Sequence, residues 1–286
     1  MKKNKPEDKT DQKEPESDLA GHEIIAKIID AYDLESVPDI AGAVELYYDA
    51  QQLRIAHANK KRTEQPRDLT NWFREWLWKG ERVIEGKLRQ WVNSANSSEE
   101  TKWAYDQIGI GPIIAAGLAA HIDVTKAQSV SAVWKFAGLA PGFDKKTKGT
   151  TLPYNSHLKT LCWKMGESFI KVSNKEGAVY GHLFRQFKDE EIQRNASGMY
   201  KAAAARELAA KKFDDNVTKK RLQSGELSDG HLNSRARRRT VKIFLSHYYV
   251  IARKARGLPV RDPYVQTVLG HDGIIPPLQS ESSSDE

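Results

Sequence analysis

Residues 103–142 read W-A-Y-D-Q-I-G-I-G-P-I-I-A-A-G-L-A-A-H-I-D-V-T-K-A-Q-S-V-S-A-V-W-K-F-A-G-L-A-P-G. Ile108-Gly109-Ile110-Gly111-Pro112 at its centre decides the fold. Two glycines spaced by one apolar residue make a tight turn that ordinary side chains would obstruct. Pro112 follows where a helix accepts proline, in its first turn. The small apolar run Ile113 to Ile122 continues as that helix. The pattern predicts a helix-hairpin-helix: a helix, a turn with exposed amides, and a second helix whose N-terminus faces outward. Such amides suit a nucleic-acid phosphate. The alternative is an αα-corner in which the glycines serve only close packing.

Working outward, helical periods dominate. Pro38 opens a helix to Lys61, and Leu69 to Ala95 reads as a long amphipathic one with Leu69, Trp72, Phe73, Trp76, Leu77, Ile84, Leu88 and Trp91 on one stripe. Trp72, Trp76, Trp78 and Trp91 suggest a packing seam before a stacking surface. Ser97-Ser98-Glu99-Glu100 starts the helix that enters the glycine turn. After the hairpin come a short helix at Ala132 to Ala137 and a loop or small β-hairpin at Phe143 to Pro153. Helices at Asn155 to Ser173 and Tyr180 to Asn195 follow. A polar, solvent-facing helix is expected up to Lys220, with a linker at Gln223 to Gly230. The last helix is His231 to Arg256, with Val241, Phe244, Leu245, Tyr248, Ile251 and Ala255 inward. The expectation is an all-α protein: residues 1–18 disordered, 19–97 a long coiled-coil-like helical arm, 98–265 a compact helical domain, and 266–286 a disordered tail. Leu19 to Leu34 reads as a further short helix of the arm.

The chain carries a formal net charge of +7 over 286 residues, which favours a polyanionic partner. Its single cysteine, Cys162, excludes an internal disulfide and a cysteine-rich metal site. No apolar run approaches a membrane span, and the polar N-terminus does not read as a signal peptide. A cytoplasmic, nucleoid-associated protein is the expectation. Positive charge concentrates twice. Lys145, Lys146 and Lys148 sit in the basic loop. Arg235, Arg238, Arg239 and Lys242 stand at i, i+3, i+4 and i+7 on the last helix, in a run from His231 to Arg261 that contains no Asp or Glu. Four like charges on one face destabilise an isolated helix, so a polyanion on that face is the economical explanation, against a merely solvated basic face. The expected nucleic-acid contacts are Gly109, Ile110, Gly111, the three loop lysines and these four terminal cations.

These residues resemble the C-terminal domain of transposases of the insertion sequence 110 family, grouped with insertion sequences 116 and 902. The resemblance rests on the Ile108–Pro112 hairpin and its Ala-rich helix, and on Trp134-Lys135-Phe136-Ala137-Gly138-Leu139-Ala140-Pro141. Asn155 to Trp163 stands where a further family segment should, and Arg235 to His247 is similar to the end of a divergent branch. It spans about Trp103 to Pro263. It implies a DNA-binding protein acting in transposition or site-specific recombination of a mobile element, with DNA as partner and a guide or structured RNA left open. A homo-oligomer through the arm is also left open.

Two departures bear on catalysis. Family members begin with an RNase-H-like domain whose four acidic ligands supply two-metal chemistry; no strand pattern of that kind precedes the first long helix here. No cofactor is evident, and Mg2+ would enter only if a partner or a missing domain supplied carboxylates. The family's nucleophilic serine lies in the basic loop, where this chain has Lys145, Lys146 and Thr147. Thr147, Thr150, Thr151 and Ser156 are the nearest hydroxyls, with Thr147 and Ser156 the weak candidates, and none has an evident base beside it. The competing reading is a non-catalytic DNA- or RNA-binding accessory protein that reuses the domain. A third is a helical scaffold with a basic face.

Overall fold

The structure is a computed structural model that describes residues 34, 37–60, 68–140, 149, 151–210 and 216–260. The chain is all-α: ten helices and no strand among the described residues. They are α1 (Val37–Lys60), α2 (Asp68–Asn93), α3 (Glu99–Asp106), α4 (Pro112–His121), α5 (Val130–Phe136), α6 (Ser156–Lys171), α7 (Val179–Ala196), α8 (Lys201–Ala210), α9 (Val217–Gln223) and α10 (Asp229–Ala255). The expected disordered termini, the short helix before Leu34 and most of the Phe143–Pro153 loop lie outside the described residues. The chain divides into two compact units, Met1–Gln90 and Trp91–Glu286.

In the first unit α1 and α2 run antiparallel. Arg54 makes a two-pronged contact with Glu81, at 2.5 and 2.8 Å. His57 meets the Phe73 ring edge-on, and Phe73 stacks on Trp76. Leu77, Ile84 and Leu88 are buried as their spacing predicts. Leu69 and Trp72, expected on the same stripe, are exposed instead.

The second unit is built around α10. Its Phe244 ring lies within 5.5 Å of Trp103 on α3, Phe169 on α6 and Tyr180 on α7. Three further helices thus meet on one aromatic side chain. α7 and α10 run antiparallel: the Tyr180 hydroxyl lies 2.7 Å from His247 Nδ1 at one end, and Arg235 reaches Glu191 at the other. Along the apolar stripe of α10, Val241, Phe244, Leu245 and Tyr248 are buried as their period predicts, Ile251 is half-buried, and Ala255, expected inward, is exposed. Ser129 caps α5 and Asn155 caps α6, each side-chain oxygen accepting a backbone N–H three residues on.

The segment after Asn195 differs from expectation. It forms two helices, α8 and α9, around a small core of Tyr200, Ala204, Leu222, Leu227 and Leu232. The expected linker is part of it. Leu227 is fully buried, and Asn195 clamps its backbone, accepting from Leu227 N at 2.9 Å and donating to Leu227 O at 3.2 Å. These few apolar residues, scattered through polar sequence, collapse onto one another in three dimensions.

Candidate nucleic-acid interface

The glycine turn joins α3 to α4. Gly109 has φ +103°, a conformation that favours glycine. A Cβ there would sit 3.1 Å from Val172 Cγ2 and 3.2 Å from Phe169 Cδ1 on α6. The Ser168 hydroxyl fastens the turn by donating to Gly109 O at 2.5 Å. Gly109 therefore serves close packing. Gly111 is different: its φ is an ordinary −91°, and nothing lies within 4 Å of a Cβ built on it. The expectation that both glycines relieve steric obstruction holds for Gly109 alone. Ile110 is buried, while Ile108 is exposed.

The second helix of this pair is more enclosed than expected. Every residue of α4 from Pro112 to Leu118 is buried. The amides of Ile114 and Ala115 both return to Gly111 O, at 3.1 and 3.0 Å. Pro112 has no amide to offer. Among the described residues, the N–H groups of Gly111 and Ile113 face no acceptor. Two amides at an open glycine, not a fan of them, are what the turn presents to an anion.

The basic helix shows the largest departure. Arg235 Nε donates to Glu191 Oε2 at 2.5 Å and lies over the Tyr200 ring. Burial opposes the charge on Glu191, but hydrogen bonds from Tyr200 and Arg235 outweigh it and hold the carboxyl below its ordinary pKa. Arg239 pairs with Glu190 and covers the Phe187 ring at 3.9 Å. Arg237 pairs with Glu167. Further along, Arg253 donates to the carbonyls of Val124, Ala127 and Pro259, and Arg256 reaches Glu100 at 2.6 Å. The acid-free stretch of α10 thus draws its counter-charges from α3, α6 and α7. Arg235 and Arg239, expected at a phosphate, are each paired with a carboxylate of α7, with side chains 39% and 38% exposed.

Arg238 and Lys242 remain. Among the described residues neither has a carboxylate partner. Burial first, and the like charge of Arg238 second, lower the Lys242 pKa. The Lys242 ammonium sits 4.9 Å from the centre of the Trp134 ring, and Trp134 Nε1 donates to Lys242 O at 3.0 Å. Trp134 belongs to the W-K-F-A-G-L-A-P segment, so that motif packs directly against Lys242. Beyond it, Lys159 lies 4.2 Å from the centre of the Tyr154 ring, and both touch the position a Cβ would take at Gly138.

Lys145, Lys146, Thr147 and Lys148 lie outside the described residues. Ser156 opens α6 and is exposed, and among the described residues its hydroxyl makes no hydrogen bond. His157 turns toward His121, ring centres 6.0 Å apart. Among the described residues no three His, Cys, Asp or Glu side chains are grouped to hold a metal ion, and no helix is long and apolar enough to cross a membrane. The Cys162 thiol is buried, which pushes its pKa up to about 12 and removes it as a nucleophile.

The sequence reading missed the carboxylates that answer the terminal arginines. It also missed Trp163, which shares a helix face with Glu167 against Arg237. The i, i+4 spacing of Trp163 and Glu167 was the available signal. Comparison of the chain with protein-family models, with curated proteins and with solved structures finds no match.

Proposed function

We propose that the chain is a DNA-binding protein of transposase type, acting in transposition or site-specific recombination of a mobile element. One observation carries the reading. Arg238 and Lys242 stand side by side on α10 without a carboxylate partner among the described residues, while Arg235, Arg237 and Arg239 around them each have one. Two like charges left together on a surface rich in ion pairs cost stability unless an external anion answers them. A phosphate backbone is that anion. The resemblance at Ile108–Pro112 and Trp134–Pro141 adds support, because Trp134 packs on Lys242.

A second reading, an accessory protein that binds without cutting, is favoured by Ser156, whose hydroxyl has no base beside it among the described residues. Supercoiled DNA bearing the ends that flank the coding region separates the two. Binding with nicking or strand exchange, lost in Ser156→Ala or Thr147→Ala, identifies the recombinase. Binding with no strand chemistry identifies the accessory protein. No binding to DNA of any form removes both.

A further inference from the structure

α1 carries more apolar surface than its contact with α2 uses. Ile40, Val44, Tyr47, Gln51 and Arg54 follow one another at four and three residues and form one seam. Its Arg54 holds Glu81 of α2, and Ile40 and Val44 are buried. Ala43, Leu46, Ala50 and Leu53 repeat the same spacing on the adjoining face. There Leu46 is 56% exposed and Leu53 43%. α2 is built the same way. Leu77, Glu81, Ile84 and Leu88 form its buried seam, while Leu69 and Trp72 on the adjoining face are exposed.

Each second stripe lies about 100° round its helix from the buried seam, in the same rotational sense. In an antiparallel pair that sets both stripes on one side. They meet at His57, the next residue of the α1 stripe, which touches Phe73 edge-on, while Phe73 stacks on Trp76. One broad side of the helix pair is therefore apolar, as in half of a four-helix bundle. We propose that a second copy of this chain covers that side. Two features select a copy of the chain itself. The α1 stripe is self-complementary: turned antiparallel about a two-fold axis level with Tyr48, Leu46 lies against the partner's Ala50 and Leu53 against the partner's Ala43. Large against small lets helices approach closely, and two-fold symmetry repeats each such pair. The size also fits. α1 has 24 residues, about 36 Å of helix, and two helices side by side are about 20 Å wide, which makes a face of about 700 Å². Each partner in a standard interface contributes about 800 Å². The dimer does not depend on the nucleic-acid reading. If that reading holds as well, one particle carries two α10 surfaces, and a second DNA segment binds intramolecularly.

Sedimentation equilibrium of the full chain tests this. The wild type should show twice the chain mass of 32.3 kDa at micromolar concentration. Leu46→Glu combined with Leu53→Glu should raise the dissociation constant at least about 100-fold, from about threefold or more for each of four half-exposed leucines. Circular dichroism of that variant should match the wild type, because both side chains are open to solvent in the single chain. Ala50→Leu is the sharper variant. It adds apolar surface but fills the space that the partner's Leu46 needs, so it should weaken the dimer about 5-fold or more. Met199→Glu, at an exposed apolar residue of the second unit, should leave the dimer intact. If the paired Glu variant loses helical signal, Leu69→Glu on the same side of α2 decides in its place, and the dimer must weaken. A wild type of single-chain mass, a dimer that survives these Glu variants of α1 and α2, a dimer dissociated by Met199→Glu, or a tighter dimer with Ala50→Leu overturns the inference.

Discussion

Adjacent arginines on α10 should behave oppositely when removed. Arg238 has no carboxylate partner among the described residues, while Arg239 pairs with Glu190 and lies 3.9 Å over the Phe187 ring. A cation that neutralises a phosphate on duplex DNA contributes about −0.9 to the slope of log K against log salt. Arg238→Ala should therefore flatten that slope by about 0.9. Its stability should stay within about 0.5 kcal/mol of wild type, as for other exposed positions. Arg239→Ala should leave the slope nearly unchanged, because Glu190 already answers its charge. It should cost about 1–2 kcal/mol, summing a partly exposed ion pair and a cation–π contact. In a unit the size of Trp91–Glu286, 1 kcal/mol moves Tm by about 2–4 °C, so a fall of about 2–8 °C is expected. Anisotropy titrations at several salt concentrations read the slope, and differential scanning calorimetry reads Tm. Equal slope changes in the two variants would refute the division of the arginines into paired and unpaired sets.

Two further perturbations probe the frame that holds this surface. Gly181→Ala would bring a methyl within 2.8 Å of Ser173 Cα and 3.2 Å of Phe169 O, both backbone atoms; the overpacking cost of about 1–3 kcal/mol should outweigh the helix-propensity gain of about 1 kcal/mol, and an unchanged or raised Tm would contradict the close approach of α6 and α7. Glu191 has its carboxyl pKa held below the ordinary value, so its stabilisation is full above the unfolded-state pKa near 4.3 and is lost as pH falls through the folded value; acid titration by circular dichroism should show wild-type stability dropping below about pH 4, with a shallower dependence in Glu191→Gln.

The fold was legible where a period or a turn recorded it locally. The stripe of Val241, Phe244, Leu245 and Tyr248 announced a helix with one buried face, and Pro112 after Gly111 announced a helix start. Less legible was anything set by residues distant in the chain. Glu191 lies 44 residues from Arg235, and Glu167 lies 70 from Arg237. No local pattern links them, so a run of arginines looked like one exposed face. The core of α8 and α9 was hidden for the same reason. Tyr200, Leu222, Leu227 and Leu232 are single apolar residues in polar surroundings, and only the Asn195 clamp on Leu227 reveals why they converge. At the candidate site, the glycine turn before Pro112 and the W-K-F-A-G-L-A-P motif were visible in advance. Their meeting point with α10, Trp134 on Lys242, was not, because it spans 108 residues.

Photocrosslinking tests the central claim, that the α5–α10 surface receives nucleic acid, most directly. Duplex and single-stranded probes substituted with 5-iododeoxyuridine, irradiated with the full chain and mapped by peptide mass spectrometry, report the contacting side chains. Crosslinks should fall on the peptides carrying Trp134 and residues 235–242. Crosslinks confined to α8 and α9, or none above an unsubstituted control, would contradict the account.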